Sequence, residues 1–475
     1  MEYRKEIEAY IEEHKDEMLD DIMTLCRINS EKMAYKEGMP FGEGVDAALQ
    51  TALAMAEKYG FSIQNYDSYV GTADLNTGEK CLDILAHLDV VPAGDGWMET
   101  EPFQPVIKNG KLYGRGTADD KGPAVAALYA MRAVKELNIP VSKNARLILG
   151  TDEECGSSDI EQYYAKEPEA PMTFSPDGDF PVVNTEKGRL EGHFTATWEK
   201  EEGLPRLLSI HAGTKLNVAP GKAWAVLQGF QAEIMEKAAR ETEAATGVSF
   251  EMEYSDYTMA PDDTIVKITA TGQGAHAAQP EMGNNALTGL LSLISILPFE
   301  KSEAVDAVRK LSLMFPHGDF LGEQLGIAMK DDISGPLTLA FSMLEVGETG
   351  LEGWFDSRCP ICSNEENTLK KAKEKIEEKG FKFLTENMVP PHHVDENSAF
   401  ISTLLNVYEE YTGNKGECLA IGGGTYVHSL KNGVAFGAAM PGTDNRMHGA
   451  DEFAYVEELT MAAKIFAQVI VQLCR

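Results

Sequence analysis

Four short stretches of the sequence contain histidine or acidic residues, which can bind metals. Each stretch lies directly after a predicted strand or directly before a predicted helix. They hold, in chain order, His87, Asp119, the pair Glu153 and Glu154, and Asp177. Ligands bind at the carboxyl ends of parallel strands, where neighbouring strands share one edge, so we expect these side chains to converge. Imidazole nitrogen and carboxylate oxygen together suit Zn²⁺, or Mn²⁺ and Co²⁺. The pattern therefore indicates a metal-dependent site.

Asp89 stands two residues after His87 in a strand-like segment. Side chains two apart on a strand point to the same face, so we expect the Asp89 carboxylate beside the imidazole, where it would fix the ring tautomer. The acid at Asp119 has a simpler alternative, because acidic residues are common at helix starts. The successive acids from Asp152 to Glu154 would repel one another if dry, so they need a cation or open water.

The segments that must position these residues alternate between short apolar strands and helices up to about residue 186. Strands are predicted at 82–86, 147–150 and 173–175, and helices at 1–30, 46–58, 125–137 and 159–165. This alternation indicates an α/β layer with a mostly parallel sheet. The same pattern returns after Pro390, with helices predicted at 397–411 and 451–473.

The stretch between these parts has a different pattern. Residues 189–198 and 264–271 alternate apolar and polar side chains, which is the period of half-exposed antiparallel strands. Long helices are predicted near 223–245 and 284–297.

The change of pattern predicts an insertion. We expect residues 1–186 and 387–475 to form one domain and residues 187–386 to form an inserted α+β domain. A strand–helix–strand theme occurs twice in the insertion, which suggests two ferredoxin-like halves.

The composition limits the classes of function. The 475 residues carry 42 basic and 76 acidic side chains, a formal net charge of -34, which repels phosphate backbones, so no nucleic-acid partner is expected. The N-terminus lacks the apolar stretch of a signal peptide, and no run is long enough to span a bilayer, so no membrane partner is expected. The seven scattered cysteines fit a reducing compartment, and we expect a cytoplasmic protein.

Two further motifs favour plain interpretations. Cys359 and Cys362 form a CxxC pair, but no second pair follows at the spacing of a four-ligand zinc site. His392 and His393 are adjacent, and adjacent side chains of an extended chain point apart, which favours a hinge or surface role.

Seven motifs in order resemble those of a family of co-catalytic metallopeptidases. The motifs are HLDVVP at His87, GRGTADDKG at Gly114, TDEECGSSD at Thr151, PDGDFPV at Pro176, GAHAAQPEMGNNA at Gly274, GGGTY at Gly422 and MHGADE at Met447. The family comprises aminoacylases, succinyl-diaminopimelate desuccinylases, glutamate carboxypeptidases and bacterial dipeptidases. The chain most resembles the peptidase V dipeptidase branch, also described as β-alanyl dipeptidases or carnosinases. The resemblance covers nearly the whole chain and implies a zinc-exopeptidase-like catalytic domain with an inserted lid.

The resemblance implies two divalent metal ions, with Zn²⁺ as the first choice and Mn²⁺ or Co²⁺ as alternatives. Asp119 resembles the carboxylate that bridges both ions. His87 and Asp177 would complete one metal site, and Glu154 and His448 would complete the other. The family also implies a cis peptide bond after Asp119.

The resemblance also implies catalytic roles. Glu153 resembles the general base, which takes a proton from the metal-bridging water and passes it to the leaving amine. Asp89 would support His87 as its carboxylate partner. His276, in the inserted domain, matches a histidine that stabilises the oxyanion, although a histidine in such a strand–loop is equally often structural.

Substrate-binding residues are implied as well. Asn217 and Arg358 resemble the residues that grip the substrate, and the fork of an arginine suits a terminal carboxylate. The loop with Gly423 and Thr425 would present backbone N–H groups to the same end of the substrate, or serve merely as a turn.

Two reactions fit this site, namely hydrolysis of dipeptides and deacylation or desuccinylation of N-acyl amino acids. The lid residues favour the dipeptidase, and a non-catalytic binding protein is disfavoured because Glu153 and the ligand residues are all present. In relatives with a smaller lid, a partner subunit supplies the oxyanion histidine. The large insertion could replace that partner, so we expect a monomer that acts on small peptides.

Overall fold

The computed structural model describes residues 1–255 and 264–475. Within these residues the chain divides into two units, each with its own sheet and core. The first comprises Met1–Thr185, His393–Ala420 and Gly424–Arg475, and the second comprises Glu186–His392 and Ile421–Gly423. No helix in the described ranges is long and apolar enough to cross a membrane.

The regular elements follow one another along the chain in this order. The helices are α1 (Arg4–Glu13), α2 (Lys15–Cys26), α3 (Glu43–Lys58), α4 (Lys121–Glu136), α5 (Ser158–Tyr164), α6 (Ala232–Thr246), α7 (Ala286–Ile296), α8 (Glu303–Met314), α9 (Lys370–Glu378), α10 (Ala399–Thr412) and α11 (Val456–Leu473). The strands are β1 (Ser62–Tyr66), β2 (Val70–Asp74), β3 (Lys80–His87), β4 (Val106–Lys108), β5 (Lys111–Tyr113), β6 (Asn144–Gly150), β7 (Met172–Ser175), β8 (Val182–Glu186), β9 (Gly188–Thr197), β10 (Arg206–Ala212), β11 (Val218–Ala219), β12 (Lys222–Gln228), β13 (Ser249–Tyr254), β14 (Ile265–Thr271), β15 (Ala275–His276), β16 (Lys330–Asp331), β17 (Gly335–Pro336), β18 (Thr338–Gly347), β19 (Gly350–Cys359), β20 (Lys382–Phe383), β21 (His392–His393), β22 (Cys418–Ile421), β23 (Gly433–Ala435) and β24 (Phe453–Tyr455). Short 3₁₀-helical turns lie at Glu153–Cys155 and Pro280–Met282, and a π-helical turn at Glu365–Leu369 leads into α9.

The first unit is built around a mixed sheet whose central strands β6, β3, β7 and β23 are mutually parallel. Strand β3 is buried along nearly its whole length, as expected for a parallel strand covered on both faces. Antiparallel strands flank this centre, with β2 and β1 beyond β6 and β8 beyond β23. The carboxyl ends of β3, β6 and β7 therefore share one edge, and the acidic motifs follow these ends.

Helices α4 and α11 pack against each other and against strand β3. Almost every residue of α4 is buried, so its Ala-rich sequence allows this close packing. Phe466 of α11 packs against the rings of Phe174, Phe180 and Phe436. This aromatic cluster lies in the core that supports the parallel strands.

The predicted single helix over residues 1–30 is wrong, because two helices, α1 and α2, meet at His14. His14 leaves the helical conformation with φ −100° and ψ 9°. Its ring Nδ1 is 2.9 Å from the carbonyl oxygen of Tyr10 and hydrogen-bonds it. Both helices still bury one apolar face, as the spacing predicts.

The second unit contains an antiparallel sheet in the order β13-β14-β12-β10-β18-β19-β9-β20. Strand β12 alternates between more exposed and buried side chains, and α7 packs against it. The predicted helix over 223–245 is therefore wrong in its first part, because the burial of the side chains alternates as in a strand up to Gln228. Gly229, at φ 87°, provides the turn, and the helix begins only at Ala232.

The predicted fold class is confirmed, with a largely parallel α/β sheet in the first unit and an α+β arrangement in the second. The predicted start of the last helix at residue 451 is wrong. Phe453–Tyr455 pairs with β5 as strand β24, so α11 begins at Val456.

Phe466→Ala is expected to lower the free energy of unfolding by about 3–5 kcal/mol, because it removes a buried ring and leaves a cavity among its neighbours. Urea denaturation followed by circular dichroism measures the change. Met98→Ala serves as the control, because Met98 is 88% exposed. Equal losses of stability for the two variants would contradict the packing described for α11.

Candidate active site

The acidic and histidine side chains of the first unit meet at the carboxyl edge of its sheet. His87 is the last residue of β3, Glu153 and Glu154 form the turn after β6, and Asp177 follows β7. Asp119 stands just before helix α4. Strands β3 and β6 end at the same level of their parallel ladder, so the residues that follow them lie close together.

The Asp119 carboxylate lies between two imidazoles. Its Oδ1 is 3.0 Å from His87 Nε2, and its Oδ2 is 2.9 Å from His448 Nε2. Asp177 Oδ2 lies 3.5 Å from the same nitrogen of His87, and Glu154 Oε1 lies 3.3 Å from the same nitrogen of His448. Each imidazole nitrogen thus faces Asp119 and one further carboxylate.

Overlapping groups of these side chains could each hold a metal ion. Among the described residues the groups are His87 with Asp119 and Asp177, Asp119 with Glu154 and His448, and His87 with Glu153 and Glu154, and the ligand atoms of each group lie within 4.8 Å of one another. Donor atoms bound ~2 Å from a zinc ion lie ~3–4 Å apart, so modest side-chain adjustment would bring each group around an ion. The first two groups share Asp119.

Glu154 provides an independent test of whether a cation fits. Its Oε1 is buried, and no donor in the described part of the chain meets it in hydrogen-bonding geometry, although His448 Nε2 is 3.3 Å away. A buried carboxylate oxygen without a hydrogen bond is costly. A cation at this position would satisfy it, so the residues present fit a pair of divalent ions.

The electrostatics of the cluster agree with this fit. Burial raises the pKa of Glu153 to about 9; the charge of His87 opposes this rise, and the charges of Asp177, Glu154 and Asp119 add to it. The nearby carboxylates of Asp119 and Glu154 raise the pKa of His448 to about 10. Burial alone would lower the pKa of His87, but Asp119 and other acids hold it well above its usual value. Protons are therefore held tightly by an excess of negative charge, which is the condition that favours a bound cation.

Asp89 contacts both sides of the cluster. His87 Nδ1 is 3.4 Å from Asp89 Oδ1 and is hydrogen-bonded to the Asp89 backbone oxygen at 3.1 Å. The Asp89 carboxylate also accepts the backbone N–H of Glu153 at 3.2 Å and that of Glu154 at 3.1 Å. The predicted position beside the imidazole agrees with these distances, whereas the contacts to the acidic turn were not foreseeable from the spacing. One side chain thus orients both the ring and the turn.

Asp120 and Glu452 also stabilise the site by accepting backbone N–H groups. Both occur in the motifs, but their spacing does not reveal these roles. Asp120 Oδ2 accepts the backbone N–H of His87 at 3.1 Å, and the peptide bond between Asp119 and Asp120 is cis, as the family implies. Glu452 accepts the backbone N–H groups of Gly116 and Ala118, both at 3.0 Å. Two signals in the sequence could have pointed to these acids. Asp120 is the second of two adjacent acids in the motif GRGTADDKG, and Glu452 ends the motif MHGADE, which contains the predicted ligand His448.

Asn217 and His276 lie side by side in the second unit. Asn217 precedes β11, which pairs with β15, the strand of His276, and its carbonyl accepts the Ala277 N–H at 2.9 Å. His276 Nδ1 accepts the Ala278 N–H at 3.1 Å, so the proton of the neutral ring is on Nε2. Burial and the charge of Arg358 lower the pKa of His276. The ring is therefore a neutral donor.

Arg358 is held by a carboxylate of its own strand. Its Nε and Nη2 donate to the two oxygens of Asp356 at 2.8 and 2.7 Å, and its Nη1 donates to the Gly422 carbonyl at 2.9 Å. Both side chains are buried. Because the guanidinium carries further N–H groups on both Nη atoms, it can still bind a carboxylate.

Gly423 and Thr425 belong to the glycine-rich loop after β22. A Cβ added at Gly423 would meet nothing within 4 Å, so the backbone is open at this point. The Thr425 carbonyl accepts the His428 N–H at 3.0 Å and closes a turn. The loop therefore has the geometry of a turn. Its backbone is also accessible, as the presentation of N–H groups to a substrate would require.

Comparison with known proteins shows what the chain is similar to. The sequence matches the family described as Peptidase family M20/M25/M40 over residues 84–472. The YtjP protein of Bacillus subtilis (strain 168) is 35% identical over 469 residues, which cover 97% of this chain and 98% of that protein. The Beta-Ala-Xaa dipeptidase of Lactobacillus delbrueckii subsp. lactis is 33% identical over 475 residues, which cover 98% of this chain and 97% of that protein.

A solved structure shows the same fold. Human carnosine dipeptidase 1 superimposes with a TM-score of 0.61 at 14% identity, and the alignment covers 100% of this chain and 99% of that one. The match to the family spans most of the sequence, and the similarity to the bacterial relatives extends over nearly the full length of each. The chain therefore belongs to peptidase family M20/M25/M40.

Proposed function

We propose that this chain is a two-metal dipeptidase that hydrolyses the peptide bond of small, unblocked dipeptides. The observation that supports this most is the Asp119 carboxylate, whose two oxygens face the Nε2 atoms of His87 and His448. A carboxylate shared in this way fits a pair of neighbouring ions. A relative of nearly equal length is named a Beta-Ala-Xaa dipeptidase, which supports the choice of dipeptides as substrates.

The proposed ligands form two sets that share one residue. His87, Asp119 and Asp177 would hold one ion, and Asp119, Glu154 and His448 would hold the other. Zn²⁺ is the first choice for these imidazole and carboxylate donors, with Mn²⁺ or Co²⁺ as alternatives. When bound, such ions polarise the scissile carbonyl and lower the pKa of water.

Glu153 is the proposed general base. It lies in the turn beside the ligand residues, and Asp89 holds its backbone N–H at 3.2 Å. Burial raises the pKa of Glu153 to about 9, and nearby cations would bring it down toward the working pH. Its carboxylate would take a proton from the attacking water and deliver it to the leaving amine. Asp89 also keeps the ring of His87 in its orientation.

The second unit supplies the proposed substrate contacts, except that Thr425 belongs to the first unit. His276, with its donor on Nε2, would stabilise the developing oxyanion. Arg358 would bind the terminal carboxylate of the dipeptide through its remaining N–H groups. Asn217 and the backbone N–H groups near Gly423 and Thr425 would grip the same end of the substrate.

We further infer that residues 187–386 act as a lid on a catalytic domain formed by residues 1–186 and 387–475. Because this inserted segment is large enough to replace the lid of a partner subunit, a monomer is expected. A lid that closes on both ends of the substrate would exclude long peptides. The scattered free cysteines favour a cytoplasmic location.

Purified protein loaded with Zn²⁺ or Mn²⁺ is expected to hydrolyse free dipeptides, and a chelator should abolish this activity until metal is returned. A panel of α-dipeptides, β-alanyl dipeptides, D-residue dipeptides, and N-acetyl and N-succinyl amino acids, assayed by release of free amine, measures the preference. If the N-acetyl or N-succinyl amino acids were hydrolysed faster than every dipeptide, the result would support an N-acyl amino acid deacylase or desuccinylase instead.

Glu153→Gln is expected to lower kcat by about 10²–10⁴-fold, because the amide cannot accept a proton from the attacking water. Metal analysis of the same sample should still find two ions per chain, since Glu153 is not a proposed ligand. Glu101→Gln, at an exposed position, should leave both quantities unchanged. Loss of an ion in Glu153→Gln would show that Glu153 is a ligand, and full activity would remove it from the mechanism.

Arg358→Lys is expected to raise KM for a free dipeptide by about 10–100-fold, the equivalent of a charge-assisted hydrogen bond of about 1.5–3 kcal/mol. The same variant should leave KM for the C-terminal amide of that dipeptide nearly unchanged, because this substrate has no terminal carboxylate. Steady-state kinetics on the two substrates measures the difference. Arg309→Lys in helix α8 is the matched control, and equal effects on both substrates would contradict the proposed contact.

A further inference from the structure

Glu452 is a fully buried acid that does not face the imidazoles of the candidate site. Its Oε1 accepts three backbone N–H groups from one turn, those of Gly116 at 3.0 Å, Ala118 at 3.0 Å and Asp119 at 3.3 Å. A carboxylate that accepts several main-chain donors fixes the path of the chain around it. Glu452 therefore determines where the backbone of Asp119 lies.

The second oxygen of Glu452 is engaged by Arg115. Arg115 Nη1 lies 2.5 Å from Glu452 Oε2, and both side chains are buried. Arg115 Nη2 also donates to the carbonyl oxygens of Pro92 and Ala93, both at 3.3 Å. The charge of this buried arginine, in direct contact with the carboxylate, favours the ionised form of Glu452, which accepts hydrogen bonds best.

Glu452 also joins two segments that are distant along the chain. It lies 333 positions from Asp119 and four positions after His448. Its own carbonyl accepts the Gly114 N–H at 3.0 Å, and β24, which begins at the next residue, pairs with β5. The segment with His448 is thus fastened to the turn with Asp119, and the two side chains approach to 2.9 Å.

We propose that Glu452, paired with Arg115, is a positioning residue that holds Asp119 and His448 at the separation required for binding the shared pair of ions. This inference rests on the proposed two-metal function. Glu452 reaches the ions only through the backbone and side chains that it holds. Its loss should therefore weaken metal binding even though every proposed ligand is still present.

Titration of the metal-free protein with Co²⁺ tests this inference, because the visible absorption of bound Co²⁺ reports both affinity and ligand geometry. Glu452→Gln keeps a neutral acceptor for the turn but loses the ion pair, and Glu452→Ala loses both. The affinity for at least one ion should fall by about 10–100-fold in Glu452→Gln, with a larger loss in Glu452→Ala and an altered absorption band. Arg115→Lys should show a smaller loss of the same kind.

Asp74→Asn is the matched control, since Asp74 pairs with Arg146 in the same unit at 2.8 and 3.1 Å, and neither residue contacts the proposed ligands. It should lower thermal stability without changing the Co²⁺ titration. Near-ultraviolet circular dichroism of each metal-free variant checks that it is folded, and Glu452→Gln and Arg115→Lys decide the outcome if Glu452→Ala does not fold.

The outcomes separate this inference from the proposed function. If the unaltered protein binds two Co²⁺ ions and folded Glu452→Gln binds them with the same affinity and spectrum, the positioning role is wrong. If the unaltered protein does not bind two ions, the two-metal function itself fails, and the inference fails with it.

Discussion

Mutual repulsion among the acidic side chains around His87 and His448 is the constraint on which the rest of the structure depends. Carboxylates placed this close would separate unless the fold held them in place, and their mutual repulsion favours the protonated form unless a cation offsets it. The backbone provides that hold, because main-chain N–H groups donate to Asp89, Asp120 and Glu452. These hydrogen bonds fix each of the three acids in place, and the oxygens of Asp119 face the imidazoles.

The two units carry complementary chemistry. The first unit concentrates acids, and its electrostatics favour cations. The second unit presents hydrogen-bond donors, namely a neutral imidazole at His276 and a guanidinium at Arg358 whose orientation is fixed by Asp356. Arg358 lies on the large antiparallel sheet of the second unit, and His276 lies in the separate two-stranded sheet of β11 and β15.

Local spacing predicted much of the site. The alternation of strands and helices predicts a parallel sheet, and a parallel sheet brings residues such as His87, Glu153 and Asp177 to one edge. The two-residue spacing of His87 and Asp89 predicts their contact. In contrast, the contact of Glu452 with the Asp119 turn spans 333 positions, and no periodicity encodes such a pairing.

The wrong prediction of a helix over 223–245 has a different cause. Its first residues form a short apolar run that strands and helices share, and only pairing with β10 and β14 selects the strand. Asp356 lies two residues before Arg358, but this spacing does not reveal its role, because that role depends on side-chain geometry. The residues missed are therefore those defined by tertiary contacts.

The order of the proposed ligands along the chain has a consequence for biosynthesis. His87, Asp119, Glu154 and Asp177 are all synthesised well before His448 and the segment that fastens it. Chains are synthesised from the N-terminus, so a polypeptide still being extended on the ribosome carries the acids without their second imidazole. In the proposed scheme the two-metal site is completed only after His448 has been synthesised, so a chain that lacks this segment is expected to lack the second metal site.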